Sequence, residues 1–210
     1  MVQQFAQPQS SQKNGASFIW SIADLLRGPY KPHQYGSIVL PFTVLRRLDC
    51  VLEPTKQAVL DEAKKRGDAP SAAVFLTKAA QQSFYNTSAF TLKSLMGDAA
   101  GIKANLLDYV RGFSENVRDI FEKFDFEKQL EKLDGENLLY LITQRFAAVD
   151  LHPSAVSNFE MGLMFEELIR KFAESSNETA GEHFTPRDVI RLMVDLLFIG
   201  DDEVLSKKGV

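Results

Sequence analysis

The chain has 210 residues, 45% of them hydrophobic and 25% charged, which places it among globular proteins and excludes disordered, collagen-like and membrane-spanning classes. Its net charge of −4 excludes a general polyanion binder held by a basic field over the whole surface, so any work on DNA needs a local patch or a partner. One cysteine excludes an intrachain disulfide, and His33, His152 and His183 lie too far apart for metal-ligand spacing.

Met1–Ala16 is rich in Gln, Ser and Asn and reads as a flexible tail, since it lacks the apolar run of a secretory leader. No later segment reaches the roughly 18 apolar residues of a membrane helix. Phe18, Ile22, Leu25 and Leu26 then recur at helical spacing, and Gly28-Pro29 ends the pattern. A second helix is predicted from Pro32 or His33, with Tyr35, Ile38, Val39, Phe42, Leu45 and Leu48 as its apolar stripe. Pro41 is expected to kink or break it, because proline lacks the N–H and crowds the preceding turn. Arg46 and Arg47 are placed near its end, where positive charge suits the helix dipole. Cys50 reads as a small buried hydrophobe more readily than as a reactive thiol.

Residues 61–71 (DEAKKRGDAPS) read as a solvated helix end and a loop. A weaker helical pattern from Ala72 to Phe84 is broken by Tyr85-Asn86-Thr87-Ser88, and Thr91–Gly97 is a short helix candidate. Four better segments follow: Leu106, Leu107 and Val110; Phe113, Val117, Ile120, Phe121 and Phe124; Phe126, Leu130 and Leu133, ended by Asp134-Gly135; and Leu138, Leu139, Ile142, Phe146 and Val149. Phenylalanine at three- and four-residue spacing is core material, and strand-like alternation is nearly absent. The expectation is an irregular all-helical domain.

Past His152-Pro153 the character changes. Ser157-Asn158-Phe159-Glu160 fits a capping box, and Met161, Phe165, Leu168, Ile169 and Phe172 mark one face of the helix it opens. A small polar loop (SSNETAG) leads to Thr185-Pro186-Arg187-Asp188, a second capped start, with Val189, Ile190, Met193, Leu196 and Leu197 expected as a buried face. The run Gly181-Glu182-His183-Phe184-Thr185-Pro186-Arg187 presents a carboxylate, two rings and a helix N-terminus whose N–H groups and dipole favour an anionic ligand group. On local chemistry alone it reads more readily as an ordinary loop-to-helix junction, since Thr-Pro caps are common.

Two runs carry a family resemblance. Asn158–Glu174, the polar loop and Gly181–Val194 together resemble the entry to the catalytic domain of type I modification methyltransferase subunits. Upstream, Tyr35–Lys56 (YGSIVLPFTVLRRLDCVLEPTK) resembles the signature helix of the N-terminal domain in that family. The resemblance implies a mainly α chain: a tail over 1–16, an N-terminal all-helical domain over 17–156, and over 157–210 the first helices of a truncated Rossmann-like α/β methyltransferase domain. It implies S-adenosylmethionine as cofactor and adenine N6 in DNA as acceptor. Glu182, His183, Phe184, Thr185, Pro186 and Arg187 become the cofactor-contact candidates. Phe184 and Pro186 would wall the pocket, Thr185 would cap the helix, and Glu182 would face the ligand's ammonium group. His183 stands where the family accepts other residues.

The family next requires an Asp-Pro-x-x-Gly-x-Gly turn and an Asn-Pro-Pro-aromatic motif, and these 210 residues contain neither a Gly-x-Gly nor an Asn-Pro pair. The chain alone is therefore expected to be inactive, with no catalytic residue of its own. Implied partners are DNA, the specificity and restriction subunits, and a second modification subunit, in a bacterial cytoplasm and away from any membrane. Arg46, Arg47, Lys64, Lys65 and Arg66 are the basic candidates for a DNA-facing patch, or else solvated helix ends. The alternative function is a non-catalytic helical interaction domain.

Overall fold

The computed structural model describes residues 18, 21–67, 69, 71–175, 185 and 187–198. Among the described residues there is no strand, and the extended pairings are two isolated bridges, Arg27 with Tyr30 and Asn86 with Phe113. The first helical segment, α1 (21–26), buries Ile22 and Leu26. It is followed by Gly28 at φ +106°, a backbone conformation that favours glycine. A 3₁₀ turn, Pro32–Gln34, then delivers the chain to α2 (Gly36–Leu52).

Helix α2 is the axis of the fold. Ile38, Val39, Phe42 and Leu45 are fully buried, and α2 is packed by α7 (Phe126–Gly135), α8 (Leu139–Ala147) and α9 (Asn158–Ser175). Of the kink or break expected at Pro41, the break does not occur: α2 is continuous, with Pro41 buried inside it. An interior proline costs about 3 kcal/mol. Each fully buried aliphatic or aromatic side chain contributes about 1.5–3 kcal/mol, so the flanking apolar residues outweigh it. Because α2 runs on to Leu52, Arg46 and Arg47 do not sit at its end, and the dipole has no part in placing them.

Helices α3 (Lys56–Arg66) and α4 (Ala72–Ala80) pack chiefly on each other as a hairpin, burying Val59 from one and Leu76 from the other. The Arg66 guanidinium lies 3.6 Å from the centroid of the Phe75 ring. A 3₁₀ turn, Ser94–Gly97, stands where the short helix is expected. The four better segments become α5 (Ile102–Arg111), α6 (Glu115–Lys123), α7 and α8. Helix α7 ends at Gly135, as expected, and Asn137, at φ +56°, turns the chain toward α8. At the end of α5, a Cβ on Gly112 would come within 2.7 Å of the Ser88 backbone N, so glycine there permits the close approach of the 84–92 loop.

The core is knit by rings. Phe42 meets Phe126 edge-on at 5.1 Å and stacks on Phe146 at 5.3 Å, and Phe18 meets Phe146 edge-on at 5.2 Å. The box at Ser157 forms as expected: Ser157 N donates to Glu160 Oε2 at 2.8 Å, and Glu160 N donates to Ser157 Oγ at 3.2 Å. Helix α9 then buries Leu168 in the main core, and Phe172 lies 3.4 Å from a Cβ built on Gly36 at the start of α2.

One face departs from expectation. In α10 (Arg187–Phe198) the residues read as buried are exposed, from 44% at Val189 to 71% at Leu197. Periodicity specifies that a helix has an apolar face; it does not specify what covers that face. Among the described residues, no helix is long and apolar enough to cross a membrane.

Candidate functional site

Of the six cofactor candidates, Glu182, His183, Phe184 and Pro186 lie outside the described residues. Thr185 is exposed, just before α10, and Arg187 is the first residue of that helix. Helix α10 follows α9 in sequence, so the support for this segment begins with whatever fixes α9.

That support is built on α2. Arg46 and Asp49 are buried together, one turn apart, with Nη1 and Oδ2 at 2.5 Å. Arg46 also donates Nε to the Val149 carbonyl at 2.6 Å. Asp49 Oδ1 accepts from the Tyr109 hydroxyl at 2.7 Å and from the Leu92 N–H at 3.2 Å. Burial, and secondarily the neighbouring Asp49 carboxylate, push the Tyr109 phenol well above its usual range and keep it a donor. Arg47, on the next position of the helix, donates Nη1 to the carbonyls of Leu151 and Val156 and Nη2 to Asn158 Oδ1. Neither arginine is available for a DNA-facing patch, which corrects the expectation placed on the pair. The other basic candidates, Lys64, Lys65 and Arg66 at the end of α3, are exposed, Arg66 being engaged with Glu62 and Phe75.

A second polar knot joins the same helix region to α5. Asn86 Nδ2 donates to the Tyr109 carbonyl at 2.8 Å, while Asn86 Oδ1 accepts from Ser88 N at 2.9 Å and from Lys56 Nζ at 3.0 Å. Ser88 Oγ in turn donates to Asp108 Oδ2 at 2.6 Å. Sequence reasoning treated Tyr85–Ser88 as a mere break; its one legible signal is a dense polar run between apolar segments. Burial lowers the Lys56 amine from 10.5 to about 8, against the opposing pull of Asp49 and Asp108. Between pH 8 and 10 the unfolded chain therefore keeps a Lys56 proton that the folded chain releases, so this amine adds stability as pH rises, while the raised thiol of Cys50 works against it. Above pH 10 the raised phenols of Tyr30 and Tyr109 reverse the trend. From pH 8 to 10 the urea midpoint of the wild type should rise relative to that of Lys56→Met, which lacks the amine but keeps the Cys50 thiol; a constant gap between the two would show that Lys56 is not the source.

Cys50 is buried against Leu151 and Met161, and burial pushes its thiol up, which suits a packing role and not a nucleophile. His152 Nδ1 is engaged with Ser154 Oγ at 2.7 Å. No group of His, Cys, Asp and Glu suited to a metal ion is present among the described residues. What the geometry provides, among the described residues, is a mount for α9.

Comparison with known proteins accounts for that arrangement. Residues 16–146 match the HsdM N-terminal domain. The chain belongs to that family. Residues 157–208 match the N-6 DNA Methylase family, so α9 and α10 fall in a second match directly after the HsdM domain. A similar curated protein is the type I restriction enzyme MjaIX methylase subunit of Methanocaldococcus jannaschii, 20% identical over 199 residues that cover 85% of this chain. The chain spans 34% of that relative's length.

Proposed function

We propose that this chain is the leading part of a type I modification subunit that transfers a methyl group from S-adenosylmethionine to N6 of adenine in DNA. The observation that carries the reading is the order of the two matches, an HsdM N-terminal domain at 16–146 followed by an N-6 DNA Methylase region at 157–208. Residues 17–156 then act as the helical domain, and residues 157–210 open the methyltransferase domain. Glu182, His183, Phe184, Thr185, Pro186 and Arg187 form one wall of the cofactor pocket, with Phe184 and Pro186 flanking the ligand and Glu182 facing its ammonium. The exposed apolar face of α10 is where the cofactor-binding sheet packs. Lys64 and Lys65 give the helical domain its contact with the DNA backbone, and the remaining attraction comes from the specificity, restriction and second modification subunits. A single buried cysteine suits the reducing cytoplasm in which such a system works.

The test is methyl incorporation from labelled S-adenosylmethionine into duplex DNA. It uses the protein expressed from its full reading frame with its partner subunits, and this 210-residue chain as the blank. Label at adenine N6 is expected from the former and none from the latter. Phe184→Ala should raise the cofactor KM at least about tenfold, the effect of removing a buried aromatic wall. Lys64→Glu with Lys65→Glu should flatten the salt dependence of DNA binding by roughly two units of slope. Label on cytosine would overturn the adenine assignment, and none at all from the complete assembly would leave the interaction-domain reading in its place.

A further inference from the structure

Arg47 lies on α2, within the stretch that matches the HsdM N-terminal domain, yet every acceptor it reaches lies beyond the end of that stretch. Two are carbonyls of the non-helical passage before α9, those of Leu151 and Val156, the latter at 2.7 Å. The third is Asn158 Oδ1, also at 2.7 Å, on the first residue of α9 and inside the N-6 DNA Methylase match. A planar guanidinium has a fixed fork of donors that can serve three acceptors at once, which an ammonium at the end of a flexible stem cannot reproduce. Arg46 adds a tie to Val149 O from the neighbouring position, and Met161 of α9 closes over Cys50 and Leu151 beneath the fork. The join between the two family matches is thus pinned to α2 from both its polar and its apolar side.

We propose that Arg47 is a positioning residue that fixes where α9 leaves the helical domain, so that the first helix of the methyltransferase match is carried as part of the helical body. Its meaning for catalysis rests on the function proposed above; the coupling itself does not. The experiment is hydrogen exchange on the 210-residue chain, without DNA or methyl donor, for wild type, Arg47→Met, Arg47→Lys, Asn158→Ala and the core variant Leu130→Ala. Because hydrogen bonds from a charged donor are stronger than neutral ones, Arg47→Met should speed exchange over residues 151–164 by roughly tenfold or more. Amides of α5 to α7 should keep their rates. Arg47→Lys should recover part of the protection and Asn158→Ala should lose part of it, over the same residues. Leu130→Ala should instead speed exchange across α5–α8, the pattern of a purely structural side chain. Unchanged rates at 151–164, or a rise in Arg47→Met that extends equally through α5–α7, would overturn the proposal. If Arg47→Met fails to fold, Asn158→Ala and Arg47→Lys decide it by the same local-against-global criterion. No methyl transfer is measured, so failure of the methyltransferase reading and failure of this coupling are seen separately.

Discussion

Replacing Asp49 with Ala is expected to lower the stability of the helical domain by about 3–5 kcal/mol, the range for breaking a buried ion pair from one side. The loss is large because the carboxylate serves three donors at once. Arg46 Nη1, the Tyr109 hydroxyl and the Leu92 N–H all converge on it, and all three lose their acceptor in an interior that water does not reach. Removing the pair as a unit should be milder by the cost of the orphaned charge alone, since the Tyr109 hydroxyl and the Leu92 N–H still lose their acceptor. Equilibrium urea unfolding of Asp49→Ala beside the double variant Arg46→Met/Asp49→Leu reads the difference directly. An Asp49→Ala midpoint within about 1 kcal/mol of wild type would mean that the network is not what holds α2, α5 and the 84–92 loop together.

Phe42→Ala should cost a similar amount, about 3–5 kcal/mol, through a different mechanism. Phe42 is fully buried at the crossing of α2 with α7 and α8, where its ring touches those of Phe126 and Phe146. Truncation removes transferred apolar surface and leaves a void that three helices, locked by their own rings, cannot close. Leu141→Ala, on the outward side of α8 at 42% exposure, is the comparison and should stay within about 0.5 kcal/mol. Thermal unfolding of both variants checks the pair; a Phe42→Ala loss no greater than that of Leu141→Ala would displace the core from this crossing.

What could be read from the chain beforehand divides by range. Ser157 and Glu160 are three residues apart, so their reciprocal cap is a local fact and was legible. The phenylalanine spacing from Phe113 to Phe146 named the helices and their inner faces for the same reason, although Ile120 lies at the edge of its face and is 39% exposed. Pro41 misled because its local cost is known and the compensating burial on α7, α8 and α9 is not visible from α2 alone. Arg46 and Arg47 misled more instructively. Asp49, one turn on, is the local acceptor; the others lie 103 to 111 positions away, and nothing near residue 46 indicates that two adjacent cations will turn toward them. Asn86, Lys56 and Asp108 are hidden in the same way, with partners 20 to 30 positions off. Four of the six cofactor candidates lie outside the described residues, so the pocket they would line rests on the family match and its assay.

The packing of α9 has a consequence for anyone exchanging parts between relatives. A cut between residues 156 and 157 follows the seam in the family matches, yet it would strip Leu168 and Phe172 from the helical body and leave Cys50 and Leu151 without Met161. The modular unit is longer than the seam suggests. A graft that keeps α9 with its native α2, and joins the foreign chain after Ser175, preserves every buried contact described across that boundary; one that imports α9 must import a match for Arg47 as well.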